Sequence, residues 1–224
     1  MTIKDKLARM LVLQDKMNSC INPEWKKAGN AWLRAAWIEA AELMGQIGWK
    51  WWKKQTPDLV QAHIELVDIF HFLLSKAIED KLGVHGILEA ISDEEKEYVK
   101  SEYEYDRKLS NLEWVEHLAL SFLEEGCCED YNTIFAIVCD RLELSFDELY
   151  RLYIGKNVLN IFRQDHGYKE GTYVKEWASP IDPRGVIEDN VYLEIFMNDA
   201  LKDEPEDVYT YLYEKLEAEY AKNV

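Results

Sequence analysis

Apolar residues recur along most of this chain at the three- and four-residue spacing of amphipathic helices. The first such stretch, residues 3–18, places Ile3, Leu7, Leu11 and Met17 at helical spacing. Alternation of apolar and polar residues, the pattern typical of a strand, does not persist in any segment. The pattern therefore predicts an all-α protein built as a multi-helix bundle.

Helix start and stop signals divide the chain into nine predicted helices. Thr56 and Pro57 provide a cap and a first turn, and capping boxes begin at Ser92 and Ser145. Gly48, Gly83 and Gly126 end helices, and residues 165–185, with three glycines and two prolines, are predicted to form a loop. The predicted helices cover residues 3–18, 30–47, 56–82, 93–106, 109–125, 130–142, 146–164, 186–200 and 205–222.

Composition and charge restrict the function. Hydrophobic residues make up 48% of the 224 residues, which is typical of a globular protein. A net charge of −17 disfavours binding to nucleic acid and to anionic membranes, both of which need a basic surface. A small anionic substrate would need metal ions and a local basic patch to bind such a protein.

Cysteine usage and the chain start indicate the compartment. The chain lacks a C-x-x-C pair, it opens with mixed charge rather than a signal peptide, and it holds no apolar run of membrane-spanning length. We therefore expect a cytoplasmic protein with free thiols in a reducing compartment. The cysteines are Cys20, Cys127, Cys128 and Cys139.

Four carboxylates are arranged as two short helical motifs. Glu39 and Glu42 form one pair, and Glu65 and Asp68 form the other. Side chains three residues apart share a helix face, and both pairs are flanked by apolar residues, where unpaired acids are costly. All-oxygen ligands favour Mg²⁺ or Mn²⁺, whereas a di-iron bundle would require E-x-x-H pairs. The alternative is two solvated helix faces without a metal.

A pair of amides continues the apolar stripe of the first helix. Gln14 and Asn18 follow Leu7 and Leu11 at helical spacing. Because carboxamides offer donors and acceptors together, they suit the edge of a nucleobase. An inter-helix hydrogen bond is the alternative interpretation.

Residues 151–175 form a basic island in an acidic chain. Lys156, Asn160 and Arg163 share one helix face, and guanidinium and ammonium groups suit phosphate oxygens. Gly167 and Gly171 follow in a segment that can fold over a ligand. A salt-bridged helix face followed by an ordinary loop is the alternative.

Aromatic residues accompany the acidic motifs. Residues 49–54 read Trp-Lys-Trp-Trp-Lys-Lys, which suits a core plug, a dimer contact or a substrate-binding segment. Phe72 follows Asp68 by one turn and is placed either to stack on a base or to pack in the core.

Together these residues resemble the bacterial branch of the dimeric all-α dUTP pyrophosphatases, which are related to MazG-type nucleotide pyrophosphatases. The E-x-x-E and E-x-x-D motifs are shared with the wider group. Gln14 with Asn18, residues 49–53 and residues 153–173 are the more specific similarities. The resemblance covers residues 5–80 and 145–177.

The resemblance implies a reaction and its ligands. dUTP would be hydrolysed to dUMP and pyrophosphate, dUDP would also be accepted, and uracil would be kept out of DNA. The expected cofactor is Mg²⁺, as two or three ions with Mn²⁺ as a possible substitute, and the expected assembly is a homodimer. The implied metal ligands are Glu39, Glu42, Glu65 and Asp68, with Glu42 and Glu39 catalytic; the implied substrate-binding residues are Gln14, Asn18, Trp52, Phe72, Lys156, Asn160, Arg163, Tyr168, Lys169 and Lys175.

We also expect one domain over residues 1–224, with a rigid catalytic core from residues 1–83 and 145–224 and a smaller mobile helical lobe from residues 84–144. Two other functions stay open at this point. One is a different all-α nucleotide pyrophosphatase, acting on dCTP or on a broad range of nucleotides. The other is a non-enzymatic helical interaction protein.

Overall fold

The prediction of an all-α protein is confirmed. The computed structural model describes residues 1–105, 107–123, 130–179, 183, 185–203 and 207–223. These residues form ten α-helices, one short 3-10 turn and one two-stranded sheet. The helices are α1 (Ile3–Ile21), α2 (Trp32–Ile47), α3 (Leu59–Glu79), α4 (Gly83–Ala90), α5 (Asp93–Tyr103), α6 (Asn111–Ser121), α7 (Tyr131–Arg141), α8 (Phe146–Asp165), α9 (Asp189–Asp203) and α10 (Val208–Tyr220).

Several helices begin or end at the capping residues that the sequence predicts. The Ser92 hydroxyl accepts a hydrogen bond from the Glu95 backbone N–H at 3.2 Å and begins α5. Ser145 accepts from the backbone N–H of Glu148 at the start of α8, also at 3.2 Å. Gly48 ends α2 with a φ of 84°, a left-handed conformation that favours glycine.

The start and the end of α3 were predicted wrongly. Asp58, rather than Thr56, caps the helix by accepting from the Gln61 N–H at 3.1 Å. The helix ends at Glu79, and Gly83, expected to end it, instead begins α4, which the sequence did not predict. Aspartate is a stronger N-cap residue than threonine, which agrees with a helix start at Asp58.

The predicted loop over residues 165–185 contains part of a sheet. Strand β1 (Glu176–Ala178) pairs antiparallel with β2 (Val186–Glu188), and Trp177 lies opposite Ile187. Both of these central side chains are buried, whereas their strand neighbours are not. Alternation over three residues is too short to be recognised in a sequence. Some predicted features lie outside the described residues: the helix ends at residues 106 and 125, the helix start at residue 205, the helix stop at Gly126 and the loop residue Pro180.

The chain divides into two compact units. The first contains Met1–Asp15 and Trp25–Tyr150, and the second contains Lys16–Glu24 and Arg151–Val224. The separate mobile lobe over residues 84–144 stays a prediction.

Each unit has its own core. In the first unit α2 packs along α3, and α6 packs against α2 and α7. Phe70 of α3 stacks on Phe135 of α7 with ring centroids 5.3 Å apart. In the second unit the buried Phe162 of α8 makes edge contacts with Trp177 and with Tyr220 of α10. Burial of these aromatic rings is a large part of what stabilises each unit.

Two further sequence predictions concern membrane spans and cysteines. None of the helices in the described part of the chain has the length and apolar character needed to cross a membrane. Cys20 and Cys139 are free thiols, exposed and buried respectively. Cys127 and Cys128 lie outside the described residues.

Candidate active site

Three carboxylates from two helices meet in the first unit. Glu39 and Glu42 of α2 and Glu65 of α3 each place a carboxylate oxygen within 4.8 Å of the other two. We call these residues the acidic triangle. The buried alanines Ala36 and Ala40 on α2 permit close packing against α3, which brings the two motifs together.

The members of the acidic triangle differ in burial. Glu42 is exposed, Glu39 is half-buried and Glu65 is only 8% exposed. The Gln46 amide, one turn after Glu42, donates a hydrogen bond to Glu65 Oε1 at 3.2 Å. This bond partly offsets the cost of burying the Glu65 carboxylate and fixes its orientation.

Asp68, the fourth predicted metal ligand, does not belong to the triangle. It lies one turn beyond Glu65 on α3 and is half-buried. Its role as a ligand stays a prediction.

Carboxylates this close repel one another strongly. Two unit charges at such separations interact by about 1 kcal/mol in water and by several times more where water is partly excluded. A divalent cation relieves that repulsion, and carboxylate oxygens are the donors that Mg²⁺ and Mn²⁺ prefer. The residues therefore fit a hard divalent cation.

Gln14 is held in place by two side chains of α3. Its Nε2 donates to Ser75 Oγ at 3.0 Å, and its Oε1 lies 2.8 Å from Nδ1 of His71. Ser75 in turn donates to the His71 carbonyl at 2.9 Å. All three residues are buried. The inter-helix hydrogen bond considered for this amide is present, and it fixes which way the amide points.

The predicted aromatic residues of the first unit have different environments. Phe72 is half-buried, and its ring centroid lies 6.5 Å from that of Trp32. Trp52 is exposed and makes edge contacts with Trp49 and Trp51, both exposed as well. The tryptophans of residues 49–52 are therefore not a core plug in this structure.

The second unit holds Asn18 and the basic island. Asn18 and Lys156 are buried, whereas Asn160 is half-buried. The guanidinium of Arg163 makes a bidentate ion pair with Asp189, with Nε 2.8 Å from Oδ2 and Nη2 2.7 Å from Oδ1. Tyr173 donates to the same Oδ2 at 2.8 Å.

Burial and charge act together on this cluster. Burial lowers the pKa of Arg163, but the hydrogen bonds and charge of Asp189 outweigh that effect, and the pKa is raised overall. Burial also raises the pKa of Tyr173, and the neighbouring Asp189 raises it further. Arg163 is therefore cationic and Tyr173 a neutral donor at physiological pH.

Two basic residues after Arg163 are exposed but make polar contacts in this structure. Lys175 Nζ lies 3.2 Å from Glu188 Oε2, because β2 lies beside β1. Lys169 Nζ donates to the Ile21 carbonyl at the end of α1, at 3.0 Å. These partners come from parts of the chain far away in sequence, where spacing gives no signal.

Comparison with known proteins decides the family. A family model described as dUTPase matches residues 6–168, a range that contains the acidic triangle, Gln14 and all of α8. The chain belongs to the all-α dUTPase family. As a dUTPase it is a dUTP diphosphatase, a hydrolase that acts on a phosphoric anhydride. Among curated proteins, none matches the chain.

Sequence reasoning missed several residues around the candidate site of this dUTPase. Gln46 shares the face of Glu39 and Glu42 at helical spacing, so it was recognisable from the sequence. His71 and Ser75 lie at one-turn intervals after Asp68 and were recognisable in the same way. Asp189 was not, because no spacing relates it to Arg163.

Proposed function

We propose that this dUTPase hydrolyses dUTP, and also dUDP, to dUMP in an Mg²⁺-dependent reaction. The acidic triangle, in a chain of this family, is the observation that carries the proposal. Glu39, Glu42, Glu65 and Asp68 hold two or three Mg²⁺ ions, which Mn²⁺ can replace. Bound metal supplies neutralisation of the phosphate charge and a lower pKa for a coordinated water.

Glu42 is the proposed general base. It is the exposed member of the triangle, so it reaches solvent and accepts the proton of the attacking water. Glu39 is its half-buried neighbour and the second catalytic carboxylate. Glu65, held by Gln46, is the best oriented of the three and serves as a fixed ligand.

Base recognition rests on the two amides. Gln14 and Asn18 read the edge of uracil, and the bonds from His71 and Ser75 set the orientation of the Gln14 amide in advance. A buried amide with fixed orientation discriminates strongly against a base with the opposite donor and acceptor pattern, which is the case for cytosine. Phe72 and Trp52 pack against the nucleoside.

The family resemblance assigns the groups that bind phosphate and sugar to the basic island and the segment after it. Asn160 binds the sugar 3′-hydroxyl, and Lys156, Arg163, Tyr168, Lys169 and Lys175 bind phosphate oxygens. Lys169 and Lys175 exchange their present partners, the Ile21 carbonyl and Glu188, for the substrate. A triphosphate supplies several anionic oxygens and so offsets the loss of these exposed contacts.

The remaining parts of the proposal concern the assembly and the cell. The enzyme acts as a homodimer in the cytoplasm, and it does not bind nucleic acid. Light scattering and a polynucleotide binding assay test the first and last of these statements.

Pyrophosphate release, measured with dUTP, dTTP, dCTP and UTP in the presence of Mg²⁺, tests the reaction. We expect a strong preference for dUTP. Glu42→Gln and Asp68→Asn each abolish turnover and leave the far-ultraviolet circular dichroism unchanged. Glu116→Gln, at an exposed glutamate of α6, is the control and stays active. Equal turnover of dCTP and dUTP would favour a broader nucleotide pyrophosphatase.

A further inference from the structure

The residues on either side of the segment at the end of α8 are bonded to the same buried carboxylate. Arg163 lies in the last turn of α8, and Tyr173 lies just after the two glycines of this segment. Both side chains bond to Asp189, which has no exposed surface. Asp189 therefore connects the two ends of residues 164–172, which we call the glycine segment.

The backbone of Asp189 adds a third connection. Its N–H donates to the Lys175 carbonyl at 3.0 Å, next to the start of β1. The carboxylate and the amide of this one residue thus fix α8, Tyr173 and Lys175 against the start of α9. Charge-assisted bonds of this kind, buried from water, are stronger than neutral ones.

Between Arg163 and Tyr173 the glycine segment forms a compact turn. Gly167 has a φ of 86°, and a Cβ there would lie 2.1 Å from Thr172 Oγ1, so only glycine fits. The Thr172 N–H donates to the Gly167 carbonyl at 3.0 Å, and the Tyr168 N–H donates to the Arg163 carbonyl at 2.9 Å. At its tip Tyr168 and Lys169 are exposed.

One guanidinium nitrogen of Arg163 does not bond to Asp189. Nε and Nη2 face Asp189, while Nη1 has no hydrogen bond within the described residues. Its Cζ lies 5.9 Å from the centroid of the Tyr168 ring. The ion pair thus fixes the plane of the guanidinium and leaves Nη1 available to a phosphate oxygen.

We propose that Asp189 is a positioning residue of this dUTPase: it holds the glycine segment and the Arg163 guanidinium in the arrangement that binds the substrate phosphates. The inference rests on the proposed function for the binding role of Arg163, Tyr168 and Lys169. It deepens that proposal because Asp189 would act on the substrate through Arg163 and Tyr173, to which it is bonded. Fixing these groups before binding removes an ordering cost that would otherwise reduce affinity.

Three variants test the proposal. Asp189→Asn keeps the size of the side chain but removes its charge. Tyr173→Phe keeps the Arg163 ion pair and breaks only the second connection, so it stays informative if Asp189→Asn fails to fold. Asp203→Asn is the matched control, since this exposed carboxylate at the end of α9 also accepts from a tyrosine, Tyr211, at 2.5 Å.

Hydrogen exchange of the glycine segment and steady-state kinetics with dUTP and Mg²⁺ are the two readouts. We expect Asp189→Asn to speed exchange over residues 164–174 at least tenfold and to raise KM roughly tenfold, with kcat changed by less than about twofold. Tyr173→Phe should raise KM roughly threefold, because one bond to a charged group is lost. Asp203→Asn should change neither readout.

The two readouts separate this inference from the proposed function. Unchanged exchange in both Asp189→Asn and Tyr173→Phe overturns the inference. Faster exchange with unchanged KM also overturns it, because Asp189 would then be only structural. If KM is unchanged, the KM of Lys169→Ala shows why. If Lys169→Ala also leaves KM unchanged, the glycine segment does not bind substrate, and this part of the proposed function fails.

Discussion

Glu42→Gln should stabilise the metal-free protein, although it removes a proposed catalytic group. The carboxylate of Glu42 lies within 4.8 Å of both Glu39 and Glu65. At that separation each pair repels by about 1 kcal/mol in water, so the loss of one charge relieves at most about 2 kcal/mol at the exposed end of the triangle. Salt screens this only partly, because the Debye length in physiological salt is about 8 Å.

The expected change is large enough to measure. For a chain of this size 1 kcal/mol corresponds to about 2–4 °C in Tm, so Glu42→Gln should raise the Tm in EDTA by up to roughly 8 °C. Mg²⁺ should reverse the order. A metal present at a hundred times its Kd stabilises the native state by about 2.7 kcal/mol, and only the intact triangle receives that full gain.

Thermal melts of the two proteins in EDTA and in Mg²⁺ provide the test, with Glu116→Gln as the control for loss of one surface charge. Two results would refute the reasoning. One is a lower Tm for Glu42→Gln in EDTA, which would mean that Glu42 makes a stabilising contact. The other is an equal Mg²⁺ gain in both proteins, which would place the metal elsewhere.

Three further predictions follow from single contacts. Gly155→Ala should destabilise the protein by about 1–3 kcal/mol in urea unfolding, because the new Cβ would lie 2.3 Å from Met197 Sδ. Gly45→Ala is the control: a Cβ there meets nothing within 4 Å, so the change should stabilise the protein by up to about 1 kcal/mol. Equal effects of the two substitutions would contradict this. The hydrogen bond from Arg107, with those of Ser110, lowers the pKa of Glu113 from 4.5 to about 2. The ionised Glu113 carboxylate therefore stabilises the native state above pH 4.5, and this stabilisation is lost as the pH falls toward 2. Glu113→Gln should lower the Tm at pH 6 and not at pH 2. Gln14→Ala should raise KM for dUTP at least tenfold, because the buried amide that reads the base is lost. His63→Ala, at a half-buried position of α3, is the control and should leave KM unchanged. An unchanged ratio of dUTP to dCTP turnover in Gln14→Ala would remove Gln14 from base recognition.

Local features of the fold were readable from the sequence. A serine followed three residues later by glutamate gave the starts of α5 and α8, because the cap needs only residues close in sequence. Ser110 with Glu113 is the same motif, and both of its bonds form at the start of α6. The three-residue strands β1 and β2 could not be predicted, since three residues are too few to show an alternating pattern.

The candidate site likewise contains features that local spacing predicts and features that depend on how the helices pack. Glu39 with Glu42, and Glu65 with Asp68, were recognised because each pair shares a helix face, but which carboxylates meet depends on how α2 crosses α3. The crossing brings in Glu65 and leaves Asp68 outside the triangle. Likewise, the partner of Arg163 is a residue of α9, and only the folded second unit brings Asp189 to it.

The exposed tryptophans between the two acidic motifs have a spectroscopic consequence. Trp51 is 90% exposed, whereas Trp25, Trp114 and Trp177 are buried. Indole emission shifts to longer wavelength in water, so this dUTPase contains two populations of fluorophore that acrylamide quenches to different extents. The long-wavelength emission comes mainly from residues 49–52, so the unlabelled protein already carries an optical reporter in the segment that joins α2 to α3, the two helices of the proposed metal ligands.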